Sequence, residues 1–147
     1  MGKPEFESEE VLGQAKGNQT AVWHLAVLWA RQQQGSVDGW AAFVGTNFAP
    51  SWDDMGEGAS AMEVARIAGL NIATTADMDP VDLTGDESQA TLTVKGPETE
   101  WLDNMGTTID DLDRVNEVIF GAIADRRGLD LTQEREGDQF RMTFTKR

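Results

Sequence analysis

The chain has 147 residues, of which 39% are hydrophobic and 26% are charged, and its formal net charge is −14. This size and composition are typical of one globular domain. The acidic balance argues against non-specific nucleic-acid binding, which needs cations to neutralise phosphates, and against docking on an anionic membrane. The sequence contains no cysteine, which excludes disulfides, thiolate metal sites and a cysteine nucleophile.

The start of the chain predicts a flexible arm over residues 1–7, followed by a single domain over residues 8–147. Ser8 is a favourable N-cap for a first helix, which Gly17-Asn18 should interrupt. A strong helix is predicted over residues 19–34. Its main apolar face should consist of Val22, Leu25, Ala26, Trp29 and Gln33.

The segment at 21–30 is apolar apart from His24, the only histidine of the chain. His24 lies on a second apolar stripe of the same helix, so we expect this helix to be covered on two sides. Two interpretations stay open: a satisfied core histidine, or an acid–base group in a pocket. The run is too short to span a bilayer, and the first residues lack a signal-peptide pattern, so we expect a cytoplasmic protein.

The next elements are marked by caps and glycines. Ser36 and Asp38 can cap a short second helix that Gly45 should end. The stretch 46–58 is typical of a loop rich in turn formers and carboxylates. Ser60-Ala-Met-Glu63 matches a capping box, and the helix that it opens should end at Ala68, with Gly69 as its C-terminal cap.

From this point the pattern favours strands. Leu70, Ile72 and Thr74 alternate as in a strand, and residues 77–88 are expected to form an acidic connection. A second strand is predicted over residues 89–95.

The C-terminal half predicts two helices and a hairpin. A short helix should contain Trp101, and Thr108 should cap a long amphipathic helix that Gly128 ends. The last segment predicts a hairpin that turns near residues 136–138 and pairs with strand 89–95. The fold class is therefore α+β: N-terminal helices followed by a small antiparallel sheet with a C-terminal hairpin, the helices packed mostly on one face.

This half also resembles a known group. The segments QATLTVKGP and GLDLTQEREGDQFRMTF, with the two helices between them, resemble the C-terminal part of the aminothiazoline-carboxylate hydrolase and 4-vinyl-reductase-like small-domain families over roughly residues 89–146. Members often carry cysteines after the strand and in the hairpin, where this chain has Gly96-Pro97 and Asp138-Gln139-Phe140. The resemblance implies a small-molecule pocket between helices and sheet, without thiol chemistry.

Aromatic residues give the clearest hint of a site. Five tryptophans are more than a small core needs, and tryptophan often walls apolar ligand pockets. Core packing and an apolar subunit interface are the alternative interpretations. The candidate substrate-binding residues are Trp23, Trp29, Trp40, Trp52 and Phe43.

Acid–base chemistry would depend on His24, with Asp53 or Asp54 as its carboxylate partner or as a substrate anchor. His24 with Asp53, Asp54 and Glu57 could also hold a divalent ion, but nothing in their spacing requires a metal, and we assign none. We expect no organic cofactor.

Two hypotheses about function follow. The first is a small cytosolic hydrolase, lyase or isomerase that acts on a small organic molecule in a Trp-lined pocket. The alternative is a non-catalytic module that binds a small molecule or assembles into an oligomer. The expected partner is a small-molecule ligand, with no nucleic acid and no membrane, and a homo-oligomer stays open.

Overall fold

The computed structural model describes residues 4–55, 58–75 and 78–147. Glu57, considered above as a metal ligand, and Asp77, the first residue of the expected acidic connection, lie outside these ranges. The order of elements is α1 (Ser8–Gln34), α2 (Asp38–Phe48), a 3-10 helix (Ala49–Met55), α3 (Ala61–Thr75), β1 (Asp79–Gly85), β2 (Gln89–Lys95), α4 (Thr99–Met105), α5 (Ile109–Arg126), β3 (Leu129–Glu136) and β4 (Gln139–Lys146).

The four strands form one antiparallel sheet in the order β1-β2-β4-β3. The predicted C-terminal hairpin is β3–β4, and it pairs with strand 89–95 as expected. One face of the two central strands is buried because apolar residues alternate there with threonines and charges: Ala90, Leu92, Val94, Phe140, Met142 and Phe144. The predicted α+β class is confirmed.

The edge strand β1 was not predicted, because acidic residues and turn formers dominate residues 77–88 and the apolar alternation there is limited to Val81 and Leu83. Six of the seven residues of β1 are exposed. Neither face of the strand is buried, so the sequence there need not alternate apolar and polar residues. The register between β1 and β2 shifts between Pro80 and Asp82, where the strand bulges. Backbone pairing with β2 therefore defines this strand more than side-chain packing does.

The predicted strand at Leu70, Ile72 and Thr74 is wrong, because α3 continues to Thr75. Gly69 is not a cap. A Cβ on Gly69 would lie 3.2 Å from Leu92 Cδ1 and 3.7 Å from Pro80 Cβ, so the glycine lets α3 approach the sheet closely. Similarly, α2 runs through Gly45 to Phe48, and a 3-10 helix occupies most of the predicted loop.

Helix α1 differs from its prediction in three ways. It is continuous through Gly17-Asn18, and its N-cap is Glu7, whose backbone N–H bonds to Glu10 Oε2 at 2.9 Å. Four residues of its expected main face are exposed and Ala26 is half-buried, whereas the stripe that contains His24 is buried: Thr20, His24, Val27 and Ala30. The helix is covered on one side only.

Two ion pairs join elements that lie far apart in the chain. Arg31 Nε on α1 donates to Asp111 Oδ2 at 3.0 Å, and a second bond joins the guanidinium to the other carboxylate oxygen. Arg135 on β3 donates two hydrogen bonds to Asp113 on α5, at 2.5 and 2.7 Å. Both are bidentate, a geometry that fixes orientation as well as distance. Across the described ranges, no helix is both long and apolar enough to cross a membrane.

Candidate functional site

A pocket of about 400 Å³ opens between α1, α2, α3 and α5. Three of the predicted tryptophans, Trp23, Trp40 and Trp52, line it together. Most of the remaining lining is aliphatic or phenylalanine: Val22, Ala26, Val44, Phe48, Ile72, Ile119, Phe120 and Ile123. The volume falls in the range of small-molecule sites, roughly 300–1,000 Å³.

The tryptophans are held by contacts with other rings. Trp23 and Trp40 meet edge to face, with ring centroids 5.1 Å apart and planes at 64°. Trp52 meets Phe120 in a similar arrangement at 6.4 Å. Edge-to-face pairs of this kind contribute about 0.5–1.5 kcal/mol beyond the area that they bury, so they stabilise the aromatic walls of the pocket.

The polar residues of this lining carry amide or hydroxyl groups: Gln19, Asn71, Thr74, Thr75 and Asn116. Asn71 Nδ2 donates to the backbone oxygen of Ile67 at 2.9 Å, and the Thr74 hydroxyl donates to that of Leu70 at 2.9 Å. Both groups therefore have local partners on α3.

Asn116 differs from these amides because it is buried on α5 and has a poor partner. Within the described part of the chain, its one side-chain hydrogen bond is from Nδ2 to Met78 Sδ, at 3.9 Å. A thioether sulfur is a weak acceptor. The Asn116 amide therefore retains hydrogen-bonding capacity beside an apolar pocket, where a ligand group could use it.

Asn116 was missed in the sequence, although a signal was present. It precedes Ile119, Phe120 and Ile123 by helical spacings, so it lies on the same face of α5 as three apolar residues. An amide on an otherwise apolar stripe could have been singled out as a candidate polar anchor.

The structure does not place the other candidate residues in this lining. Trp29 and Phe43 point to solvent, 56% and 68% exposed. His24 is completely buried, and its ring packs edge to face on Trp101, with centroids 4.5 Å apart.

The two candidate carboxylates lie on the surface of the 3-10 helix. Asp53 accepts hydrogen bonds from Arg126 Nε at 2.8 Å and Nη2 at 2.5 Å, and Arg127 lies 3.7 Å away. The hydrogen bonds from Arg126 hold the pKa of Asp53 below its usual range. A neutral-pH acid or base instead needs a pKa near the working pH. Asp54 is exposed.

A second cleft of about 460 Å³ is lined in part by Met78 and is mostly polar. Lys16 and Lys95 line it together with Asp79, Glu98 and Trp101. The cleft therefore carries two lysines and two carboxylates, whose charges balance. The ammonium nitrogen of Lys95 also lies 3.6 Å from Asp138 Oδ2. In the described ranges, no three histidine, aspartate or glutamate side chains form a group that could hold a metal ion.

Neither comparison with known proteins identifies a relative. No protein-family model matches the sequence, and no curated protein matches it significantly. The resemblance of residues 89–146 to the hydrolase and reductase families therefore stays a prediction.

Proposed function

We propose that this protein is a binding module for a neutral, largely apolar small molecule, held in the pocket between α1, α2, α3 and α5. The observation that carries the proposal is the composition of the lining: three tryptophans, aliphatic side chains and one buried amide with a weak partner. Such a cavity gains free energy by burying apolar ligand surface, and a single polar group fixes the ligand's orientation.

The lining favours a neutral ligand over an ionic one. None of the described lining residues carries a charge or titrates near neutral pH. An ion placed there would lose its hydration without gaining a charged partner, at a cost of several kcal/mol or more. A planar ligand with one carbonyl or amide group could stack on the indoles and bond to Asn116.

The same observation favours binding over acid–base catalysis. A catalytic group must lie within hydrogen-bond reach of the reacting atom, about 3 Å. The candidate groups His24, Asp53 and Asp54 are not part of the described lining. The binding module is therefore the better supported of the two hypotheses.

A fluorescence titration with N-phenyl-1-naphthylamine, a neutral aromatic probe, tests the proposal. Val44→Trp should fill the pocket from α2 and weaken probe binding at least about tenfold, a loss of roughly 1.4 kcal/mol. Phe43→Trp is the matched control on the solvent side of the same helix and should leave binding unchanged. Equal affinity for wild type and Val44→Trp would overturn the proposal, provided that circular dichroism shows both to be folded.

His24→Gln provides the comparison for the catalytic hypothesis. Because His24 contacts Trp101 and does not line the pocket, the variant should bind the probe with wild-type affinity even if its melting temperature falls. A His24→Gln variant that stays folded and loses probe binding would place the histidine in the site.

A further inference from the structure

The N-terminal half of α1 extends away from the rest of the molecule. All residues from Ser8 to Gln19 are exposed, and Thr20 is the first buried residue of the helix. Isolated helices of this length are marginally stable in water, and Gly13 and Gly17 lower the helix propensity further. This half of α1 therefore lacks the tertiary packing that usually stabilises such a segment.

An apolar stripe runs along the exposed side of α1, and it repeats at alternating spacings of four and three residues. Its members, called here the α1 stripe, are Val11, Ala15, Asn18, Val22, Leu25 and Trp29. At about 100° per residue, these positions lie opposite to the buried face that contains His24 and Val27. Its four largest members remain in solvent, with Val11 54%, Val22 67%, Leu25 53% and Trp29 56% exposed.

This alternation is the heptad pattern of helices that pack against another helix. The pattern lasts for roughly three heptads, the length at which it becomes a useful indicator. A helix of 27 residues is about 40 Å long, so it offers a seam as long as a small domain is wide. A row of large exposed apolar side chains along one helix face is a feature of interaction sites.

We propose that the α1 stripe pairs with the α1 stripe of a second copy of this chain, in antiparallel orientation. Charge favours this orientation. The first turn of α1 and the residues before it carry Glu5, Glu7, Glu9 and Glu10. Parallel pairing would bring the two acidic ends together. Antiparallel pairing separates the two acidic ends and opposes the two helix dipoles favourably.

Side-chain size favours the same orientation. With the helices centred on each other, Val11 faces Trp29 of the partner subunit, Ala15 faces the partner's Leu25, and Asn18 faces the partner's Val22. The smaller residues of the N-terminal half thus meet the larger residues of the C-terminal half. Pairs of one large and one small side chain at facing positions fill the space between two helices evenly.

The oligomeric state tests the proposal directly. Sedimentation equilibrium of the wild-type chain should give a mass twice 16.1 kDa. Leu25→Glu should raise the dimer dissociation constant about 100-fold or more, because each dimer then buries two unpaired carboxylates. The matched control is Leu70→Glu on α3, whose side chain is 55% exposed, close to that of Leu25; it should remain dimeric.

Disulfide trapping tests the orientation, since the chain has no native cysteine. Ser8→Cys mixed with Gln32→Cys should form a crosslinked heterodimer under mild oxidation, because antiparallel pairing brings these ends together. Ser8→Cys alone should not crosslink to itself, because the two sulfurs would then lie about 36 Å apart. Efficient crosslinking of Ser8→Cys alone would overturn the antiparallel arrangement.

Two further outcomes would overturn the dimer itself. The first is a wild-type chain that sediments at 16.1 kDa at every accessible concentration. The second is a monomer that co-sediments with phosphatidylcholine vesicles, which would assign the α1 stripe to a lipid surface. Equal loss of association in Leu25→Glu and Leu70→Glu would also contradict the proposal, because the α1 stripe would then have no special role.

Discussion

Glu63 shows how one surface carboxylate stabilises a helix end in this chain. Its Oε2 accepts a hydrogen bond from the backbone N–H of Ser60 at 3.0 Å, and the Ser60 hydroxyl accepts one from the backbone N–H of Glu63 at 3.1 Å. These reciprocal bonds form the capping box that the sequence predicted, at the start of α3. The bond from the Ser60 backbone favours the charged carboxylate and lowers the pKa of Glu63 below its ordinary value of 4.5.

The stability contributed by Glu63 should therefore depend on pH. A carboxyl group with a lowered pKa in the folded state contributes stability that is fully present above 4.5, its unfolded value. This contribution is lost as pH falls through the lower, folded pKa. The free energy of unfolding, measured in urea, should be higher for wild type than for Glu63→Gln by a constant amount near neutral pH. This difference should shrink in acid. A difference that does not change with pH would contradict this assignment.

Residue identity predicted part of the pocket but not its boundaries. Tryptophan abundance brought Trp23, Trp40 and Trp52 into one candidate set, and the structure places these three in a common lining. The same argument included Trp29 and Phe43, which face solvent. Composition indicates large apolar side chains, but the rotation of each helix about its axis decides which of them face the pocket. Adjacent apolar stripes on α1 left that rotation undetermined.

Elements with a clear period and a marked end could be predicted from the sequence. Strand 89–95 and the final hairpin alternate cleanly because one face is buried, and α5 has both a capping threonine and an apolar stripe. The end of α3 was missed because Leu70, Ile72 and Thr74 alternate as in a strand although in the helix Leu70 is exposed and Ile72 is buried, and because Gly69 resembled a cap. The structure gives that glycine a packing role, which requires knowledge of the sheet beneath it.

Gly45 has a comparable role between α2 and α5, and it provides a test. A Cβ there would lie 3.1 Å from Ala122 Cβ and 3.2 Å from Ile119 Cα. Gly45→Ala should lower the free energy of unfolding by about 1–3 kcal/mol, because the crowding outweighs the gain in helix propensity.

The control for Gly45 is Gly121→Ala in α5, where an added Cβ meets no described atom within 4 Å. This variant should raise the free energy of unfolding by about 0.5–1 kcal/mol. Urea unfolding of both variants checks the pair. A stabilised Gly45→Ala would mean that α2 can move away from α5 at little cost.

For the whole molecule, the net charge of −14 is the dominant electrostatic feature. Most of its ion pairs lie at the surface, as in the pair of Arg114 with Asp38, and exposed pairs contribute little each. Repulsion among the excess carboxylates acts over the whole surface and opposes the compact state. Salt screens both the attraction within the ion pairs and the repulsion among the carboxylates. We expect the weaker repulsion to have the larger effect on the free energy of unfolding.

Stability should accordingly rise with ionic strength. Raising NaCl from about 0.1 M to about 1 M shortens the screening length from about 10 Å to about 3 Å, so the free energy of unfolding in urea should increase. The control is the same comparison near pH 4.2, the isoelectric point, where the net charge and hence the gain should be small. An equal gain at both pH values would indicate a general effect of salt on apolar burial instead.

The two edges of the sheet restrict how this fold can associate. An open edge strand normally offers unpaired backbone groups to another chain and can seed fibrils. Here β1 carries Asp79, Pro80 and a bulge, and β3 carries Asp130, Glu134 and Glu136. A strand added by another molecule at either edge would meet acidic side chains, and at β1 also a proline that cannot donate. The sheet is thereby protected against edge-to-edge growth, even at the high protein concentrations of a crowded cell.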